Sequence, residues 1–313
     1  MRIPEAPGRK SRALIVEGGG MRGSFAGGVL ASMSRIYPAS NFDIVVGVSA
    51  GSCSAAYYVA STPAERLVEF CLDVWRYELT GSKFISYWNV LKGKTILNQE
   101  YLIDYLFGKK YPIPKGRMDE PDVTPCYVTV TNLHTFLPEY VRATSSNLLS
   151  LLKAATSLPI ATRGRRRLGE HEYTDGAVLD PMPIEAVMEA GYKDITVVLN
   201  HPRSHRSDPV GKMLSWLSFP GNKTIRQMIS REHHIRFNRA FDLINHPPTG
   251  FKVNIVDPDK PVAAGLVTRD MGRLNRTVDH GIETGLRYFS ELQKSRVFAR
   301  FRDFFKRSSS GSR

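Results

Sequence analysis

Three short stretches of this sequence hold residues that could do chemistry together. In GGGMRG, Gly18, Gly19 and Gly20 follow the apolar run ALIV and are succeeded by Arg22 and Gly23. In GVSAGS, Ser49 stands between Gly47 and Gly51, just after the run DIVV. In TDGA, Asp175 precedes Gly176. A serine with glycines two residues to either side, between a strand and a helix, fits a sharp turn where neighbouring Cβ atoms would collide. Its oxygen then projects near a helix N-terminus, whose amides and positive dipole end favour a developing alkoxide. The bare backbone of Gly18 to Gly20 can aim N–H groups at an oxyanion beside Ser49, one such donor contributing about 3–4 kcal/mol in a transition state. Arg22 opens the following helix, where it has three readings: its charge orients the loop, it holds an anionic head group, or it is a surface arginine with no role. The nucleophile needs a base. Asp175, at the end of a short strand-like segment and ahead of the permissive Gly176, is the candidate; the nearby Asp180, before Pro181 and IEAVMEAG, reads as a helix cap.

Two other chemistries compete for the same residues. Gly18, Gly20 and Gly23 also satisfy the dinucleotide pattern G-x-G-x-x-G, with Asp43 about twenty positions on. The ribose-binding acid belongs at the carboxyl end of the second strand, however, and Asp43 opens it. A Ser-His-Asp esterase would draw its histidine from His201, His205, His233 or His234, all downstream of Asp175. Its elbow normally follows several strands, whereas Ser49 follows two.

The elements that must position these groups are apolar runs rich in β-branched residues: ALIVE (13–17), DIVVG (43–47), YVTVT (127–131), ITVVL (195–199) and FKVNI (251–255). Helical patterns lie between several of them, so the expectation is a mostly parallel sheet covered on both faces. The stretch from Lys109 to Pro125, rich in Pro, Gly and charge, reads as a long surface loop. After Pro202 the pattern changes to KMLSWLSFP and then to one long basic helix, TIRQMISREHHIRFNRAFDLI. A last helix, from about Gly285 to Lys306, interleaves Phe289, Leu292, Phe298, Phe301, Phe304 and Phe305 with basic residues. It suits either a lipid interface or packing on its own domain.

At 313 residues and 42% hydrophobic, the chain can bury one large core. The expected division is a basic extension (1–12), a catalytic core (13–200), a helical cap and C-terminal part of the same domain (201–306), and a disordered tail (307–313). Cys53, Cys71 and Cys126 have no metal-ligand spacing and read as buried reduced thiols. No apolar stretch has signal-peptide or membrane-spanning length, so the expectation is a soluble cytoplasmic protein. The net charge of +13 is concentrated at the end: eight basic residues lie between Arg287 and Arg313 against Glu291 and Asp303. Such clustering points to an anionic surface, and peripheral contact with the inner face of an anionic membrane is one expectation. RGRRR (163–167) raises nucleic acid as another, but no nucleic-acid motif accompanies it and none is expected to bind.

GGGMRG, GVSAGS and DGA, in this order, resemble the signatures of the patatin-like phospholipases, and the resemblance is anchored from about Ala13 to Leu199. It implies a three-layer α/β/α fold with a mostly parallel central sheet, here with a helical C-terminal elaboration, and hydrolysis of lipid acyl esters by a Ser–Asp dyad without histidine. It makes Ser49 the nucleophile and Asp175 the base. Gly18, Gly19, Gly20 and the backbone near Arg22 become the oxyanion hole. It implies a lipid or ester substrate and no cofactor or metal. ATSLP (155–159) is near a family stretch but receives no role. A membrane-binding module that keeps the fold without turnover is the remaining alternative, and both dyad residues being present argues against it.

Overall fold

The computed structural model describes residues 1–61, 67–219 and 221–309. The five apolar runs become β1 (Arg12–Val16), β2 (Ile44–Val48), β3 (Cys126–Asn132), β7 (Asp194–Val198) and β8 (Lys252–Val256). All are parallel, in the order β3-β2-β1-β7-β8. Parallel strands are covered on both faces, which is why the central ones are near-continuous apolar runs. The short strand-like segment before Asp175 is β6 (His171–Asp175), and with two strands that the sequence does not announce, β4 (Pro138–Arg142) and β5 (Arg166–Leu168), it extends the sheet antiparallel around β3.

Alternate residues feed two cores. Leu14, Val16 and Val45 join one side with α1 (Ser24–Ile36), α2 (Ala50–Ala60), α3 (Leu67–Asp73) and α5 (Leu148–Ala155). Ala13, Ile15, Ile44 and Val46 join the other with α6 (Ile184–Glu189) and α9 (His233–Asn245). This is an α/β/α sandwich. α2 is apolar on every side and buried from Gly51 to Ala60, as a helix through a core must be. The short α4 (Trp88–Leu91), α7 (Lys212–Ser218) and α8 (Lys223–Arg231) lie outside these layers.

The structure differs from the sequence reading at several elements. The final helix, α10 (Met271–Ser309), begins well before Gly285. Gly281 and Gly285 look like helix breakers, but they are where α10 meets α1: a Cβ on Gly281 would strike the Phe25 carbonyl, and one on Gly28 the Val278 carbonyl. Phe289 stacks on Tyr37 at 5.6 Å, so this part of α10 packs on its own domain. Phe298, Phe301, Phe304 and Phe305 lie outside the described side chains. The expected single basic helix is two, α8 and α9, interrupted at Glu232. The Lys109–Pro125 stretch is packed rather than loose. It leaves the π-helical segment Glu100–Lys110, passes through a 3-10 turn at Lys115–Asp119, and buries Ile113, Met118 and Val123. The three cysteines are free and buried, and no described helix is long and apolar enough to cross a membrane.

Candidate active site

The register of β3 brings the two candidate groups together. Along one edge of β3, β2 pairs up to Val48↔Thr129, and β6 takes over the same edge at Val130↔Asp175. β4 occupies the opposite edge throughout, since Val128 and Val130 pair with Val141 and Glu139. The residue after Val48 and the last residue of β6 therefore face one another across a strand junction, although 126 positions separate them.

Ser49 Oγ donates to Asp175 Oδ2 at 2.6 Å. Ser49 has φ 51° and ψ −127°, a backbone state that a non-glycine residue holds only under constraint, at a cost of about 1–3 kcal/mol. The flanking glycines make that turn possible. A Cβ on Gly47 would sit 2.5 Å from Ser52 Cα, and one on Gly51 2.5 Å from the carbonyls of Val16 and Glu17. At Gly176 a Cβ would run into the Thr129 carbonyl, so the chain after Asp175 can cross β3 only without a side chain. Asp175 Oδ1 accepts from the Ala177 amide at 2.9 Å. Complete burial pushes the Asp175 carboxyl from its ordinary 3.8 up to about 7, against the opposing pull of its two hydrogen bonds.

The glycine loop lies against the serine. A Cβ on Gly18 would stand 3.0 Å from Ser49 Cβ, and one on Gly20 2.5 Å from the Leu266 carbonyl. Gly19 and Gly20 hold φ of 139° and 57°. Gly23 sits under Ala50 and Trp75, both within about 3.2 Å of where its Cβ would be. Arg22 departs from the expected arrangement: its amide donates to Gly19 O at 3.2 Å, and the Met21 amide to Leu266 O at 3.1 Å, so neither is free for an oxyanion. The Arg22 guanidinium lies half-buried outside the Ser49 cavity, where burial lowers its pKa and Glu17 raises it.

An apolar cavity of about 140 Å³ opens beside Ser49. It is lined by Gly19, Gly20, Ser49 and Asp175 at one end and by Cys53, Tyr57, Trp75, Phe84, Leu102 and Phe107 elsewhere. α2 runs along it. From Ser49 to Tyr57 is eight residues, about 12 Å at 1.5 Å per residue. Leu158, Ala177 and Leu266 connect the cavity to a shallow apolar groove that includes Tyr87 and Ile160.

Among the described residues no histidine lines the cavity. His201 Nδ1 meets Glu17 Oε1 at 2.8 Å, His205 stacks on His201, and His233 Nδ1 lies 3.3 Å from Val178 O in the outer groove. Nor are the basic residues of RGRRR all free: Arg166 pairs with Glu100 and Arg165 with Glu172. Asp180, expected as a cap of α6, instead accepts from Tyr140 Oη at 2.6 Å, because α6 starts three residues past Pro181. ATSLP, given no role above, holds Asp175 from behind: Ser157 O accepts from the Asp175 amide at 3.4 Å and from Thr174 Oγ1 at 3.0 Å. Sequence reasoning also missed Asn200, which is buried and bonded to the glycine loop. Its one signal is its place just beyond the carboxyl end of a buried parallel strand.

On this α/β/α sandwich a serine–carboxylate pair therefore sits at a strand-to-helix turn, beside a glycine loop and at the head of an apolar cavity. The family model described as patatin-like phospholipase matches residues 14–188, more than half of the chain, and the chain belongs to that family of lipid acyl hydrolases. Among curated proteins it is similar to the uncharacterized protein YjjU of Escherichia coli (strain K12), 24% identical over 266 residues covering 83% of this chain and 71% of that one. Among solved structures it is similar to VipD from Legionella pneumophila, with a TM-score of 0.44 and 14% identity over 92% of this chain and 68% of that one.

Proposed function

We propose that the protein is a serine-dependent lipid acyl hydrolase in which Ser49 is the nucleophile and Asp175 the base. The observation that carries this reading is the 2.6 Å bond from Ser49 Oγ to Asp175 Oδ2 at the head of an apolar cavity. Asp175 takes the Ser49 proton as the oxygen adds to the ester carbonyl. The negative charge that forms on the carbonyl oxygen is met by amides of Gly18 to Gly20. Collapse of the tetrahedral intermediate expels the alcohol, which leaves with the proton from Asp175. Water then gives its proton to Asp175 as it adds to the acyl-enzyme carbonyl, and Asp175 returns that proton to Ser49 Oγ as the C–O bond to the serine breaks and the acid leaves. An aspartate at its ordinary pKa is a feeble base, and burial that lifts it to about 7 matches it to the task. Activity on this mechanism rises as pH passes upward through about 7.

The cavity supports a single acyl chain of medium length lying along α2. The exposed apolar residues near its mouth (Tyr87, Trp88, Ile160 and Leu266) and those of α7 (Met213, Trp216 and Leu217) support work at a lipid surface. α7 adjoins the outer groove, which Val210 and Ser218 help to line. The test is release of p-nitrophenol from medium-chain esters by wild type, Ser49→Ala and Asp175→Asn. Wild-type rates in both variants would overturn the assignment.

A further inference from the structure

Glycine loops are the least ordered backbone a protein can build, so a loop that presents amides to a reacting oxygen must be pinned by something else. Each trans peptide unit points its C=O and its N–H in opposite directions. Fixing the carbonyls of residues 17, 18 and 19 therefore fixes the N–H vectors of Gly18, Gly19 and Gly20. One of these carbonyls, Gly19 O, is held by the Arg22 amide within the loop's own turn. The other two are held by one side chain from the far end of β7: Asn200 Nδ2 donates to Glu17 O at 2.8 Å and to Gly18 O at 2.9 Å.

We infer that Asn200 is the positioning residue of the oxyanion loop, setting the two peptide planes whose N–H groups belong to Gly18 and Gly19. The inference rests on the Ser49–Asp175 reading above. Both side-chain polar atoms of Asn200 and its backbone amide are engaged. Its Oδ1 accepts from the Ala26 amide in the first turn of α1 at 3.1 Å, which locks the side-chain amide in the orientation that donates to the loop. Its own amide donates to Glu17 Oε2, and Glu17 Oε1 bonds His201 Nδ1, so a second buried group anchors the anchor. Glu17 and Asn200 are 2% and 1% exposed, and neither lines the cavity. The residue type follows from the task. Only an amide of this size donates twice to carbonyls and accepts from an N–H at once. An aspartate would set a carboxylate against two carbonyl oxygens, and an alanine would leave both carbonyls and the Ala26 amide without partners.

The experiment measures kcat and KM on a medium-chain p-nitrophenyl ester for wild type, Asn200→Ala, Asn200→Asp and Ser49→Ala. It adds inhibition by a medium-chain trifluoromethyl ketone, whose carbonyl accepts the Ser49 oxygen to form a tetrahedral adduct, and by the corresponding methyl ketone as a ground-state analogue. The expected result for both Asn200 variants is a fall in kcat of about 10²-fold with KM little changed. Trifluoromethyl ketone affinity falls in the same proportion as kcat/KM, while methyl ketone affinity holds. Asn200 variants with kcat within about threefold of wild type, or a kcat loss not mirrored in trifluoromethyl ketone affinity, would leave Asn200 a scaffold residue and overturn the inference. If neither Asn200 variant unfolds cooperatively, Glu17→Gln decides by the same two readings, with an expected kcat loss of about tenfold. Wild-type turnover by Ser49→Ala is a different failure, since it removes the active-site reading itself.

Discussion

The two walls that flank Ser49 are built in opposite ways. One is backbone: Gly18 to Gly20, with no side chains, tied by hydrogen bonds to Arg22 and Asn200. The other is side chain: Cys53 and Tyr57 of α2, Trp75 of a π-helical segment, Phe84, and Leu102 and Phe107 of a second π-helical segment, with hardly a polar atom among them. On the proposed mechanism the backbone wall serves a charge that exists only during reaction, so its geometry must be held to a fraction of an ångström. On the same mechanism the apolar wall serves a flexible chain and needs only shape and dryness. Damage to the first should therefore appear in kcat. Damage to the second should appear as a change in which substrate is accepted.

The largest effect belongs to the polar side. Asp175→Asn removes the proton acceptor and should lower kcat by at least about 10³-fold, measured on a monomeric ester. The same variant should be more stable than wild type. Asp175 is held up to about 7 in the folded protein against an ordinary 3.8, so the folded state binds its proton more tightly than the unfolded state does. Stability from this group thus falls as pH rises from about 4 to about 7, and above that the full cost of ionising a buried carboxyl remains, about 4 kcal/mol at 1.36 kcal/mol per unit. Thermal unfolding should show a higher Tm for Asp175→Asn at pH 8, with the gain shrinking as pH is lowered toward 4. A lower Tm at pH 8 would mean that burial of Asp175 is not what raises its pKa.

On the apolar side, Cys53 lies one turn along α2 from Ser49, about 6 Å into the cavity at 1.5 Å per residue. Cys53→Phe should block the path beyond that turn. The expected result is a loss of about 100-fold in kcat/KM for medium-chain esters, with acetate esters within a few-fold of wild type. Equal losses on both would show that the chain does not run along α2.

The same division explains what could be read from the sequence. Strands β1, β2, β3, β7 and β8 were legible because burial on both faces writes them as apolar runs. β5 was not, because its residues RRL sit at a sheet edge and read as surface charge. The glycine and serine motifs were legible because the strain they relieve is local, within a few residues of Gly47 or Gly51. What unites Ser49 with Asp175 is the shared edge of β3, and strand pairing leaves no local mark. The apolar wall is harder still, since its residues come from separate elements, two of them π-helical, and any one looks like ordinary core. Asn200 in LNHP is a polar residue in a turn until the glycine loop is folded against it.

The smallest expected effect lies outside both walls, at α7. Met213 and Trp216 are 77% and 54% exposed there, while Phe219, just past the helix, is buried, so the helix is anchored at its end and leaves its apolar side uncovered. If that side enters a lipid surface, Trp216→Ser should weaken sedimentation with anionic vesicles by up to about tenfold, the equivalent of roughly 1.4 kcal/mol of apolar burial. Hydrolysis of a monomeric ester should not change, and stability should stay within about 0.5 kcal/mol, because an exposed side chain contributes little to the fold. Trp75 is buried in the cavity, so a blue shift of emission on adding vesicles should come from Trp88 and Trp216 and should diminish in the variant. Unchanged sedimentation would assign the exposed apolar side of α7 to something other than lipid, and would leave the contrast between the two walls of the site intact.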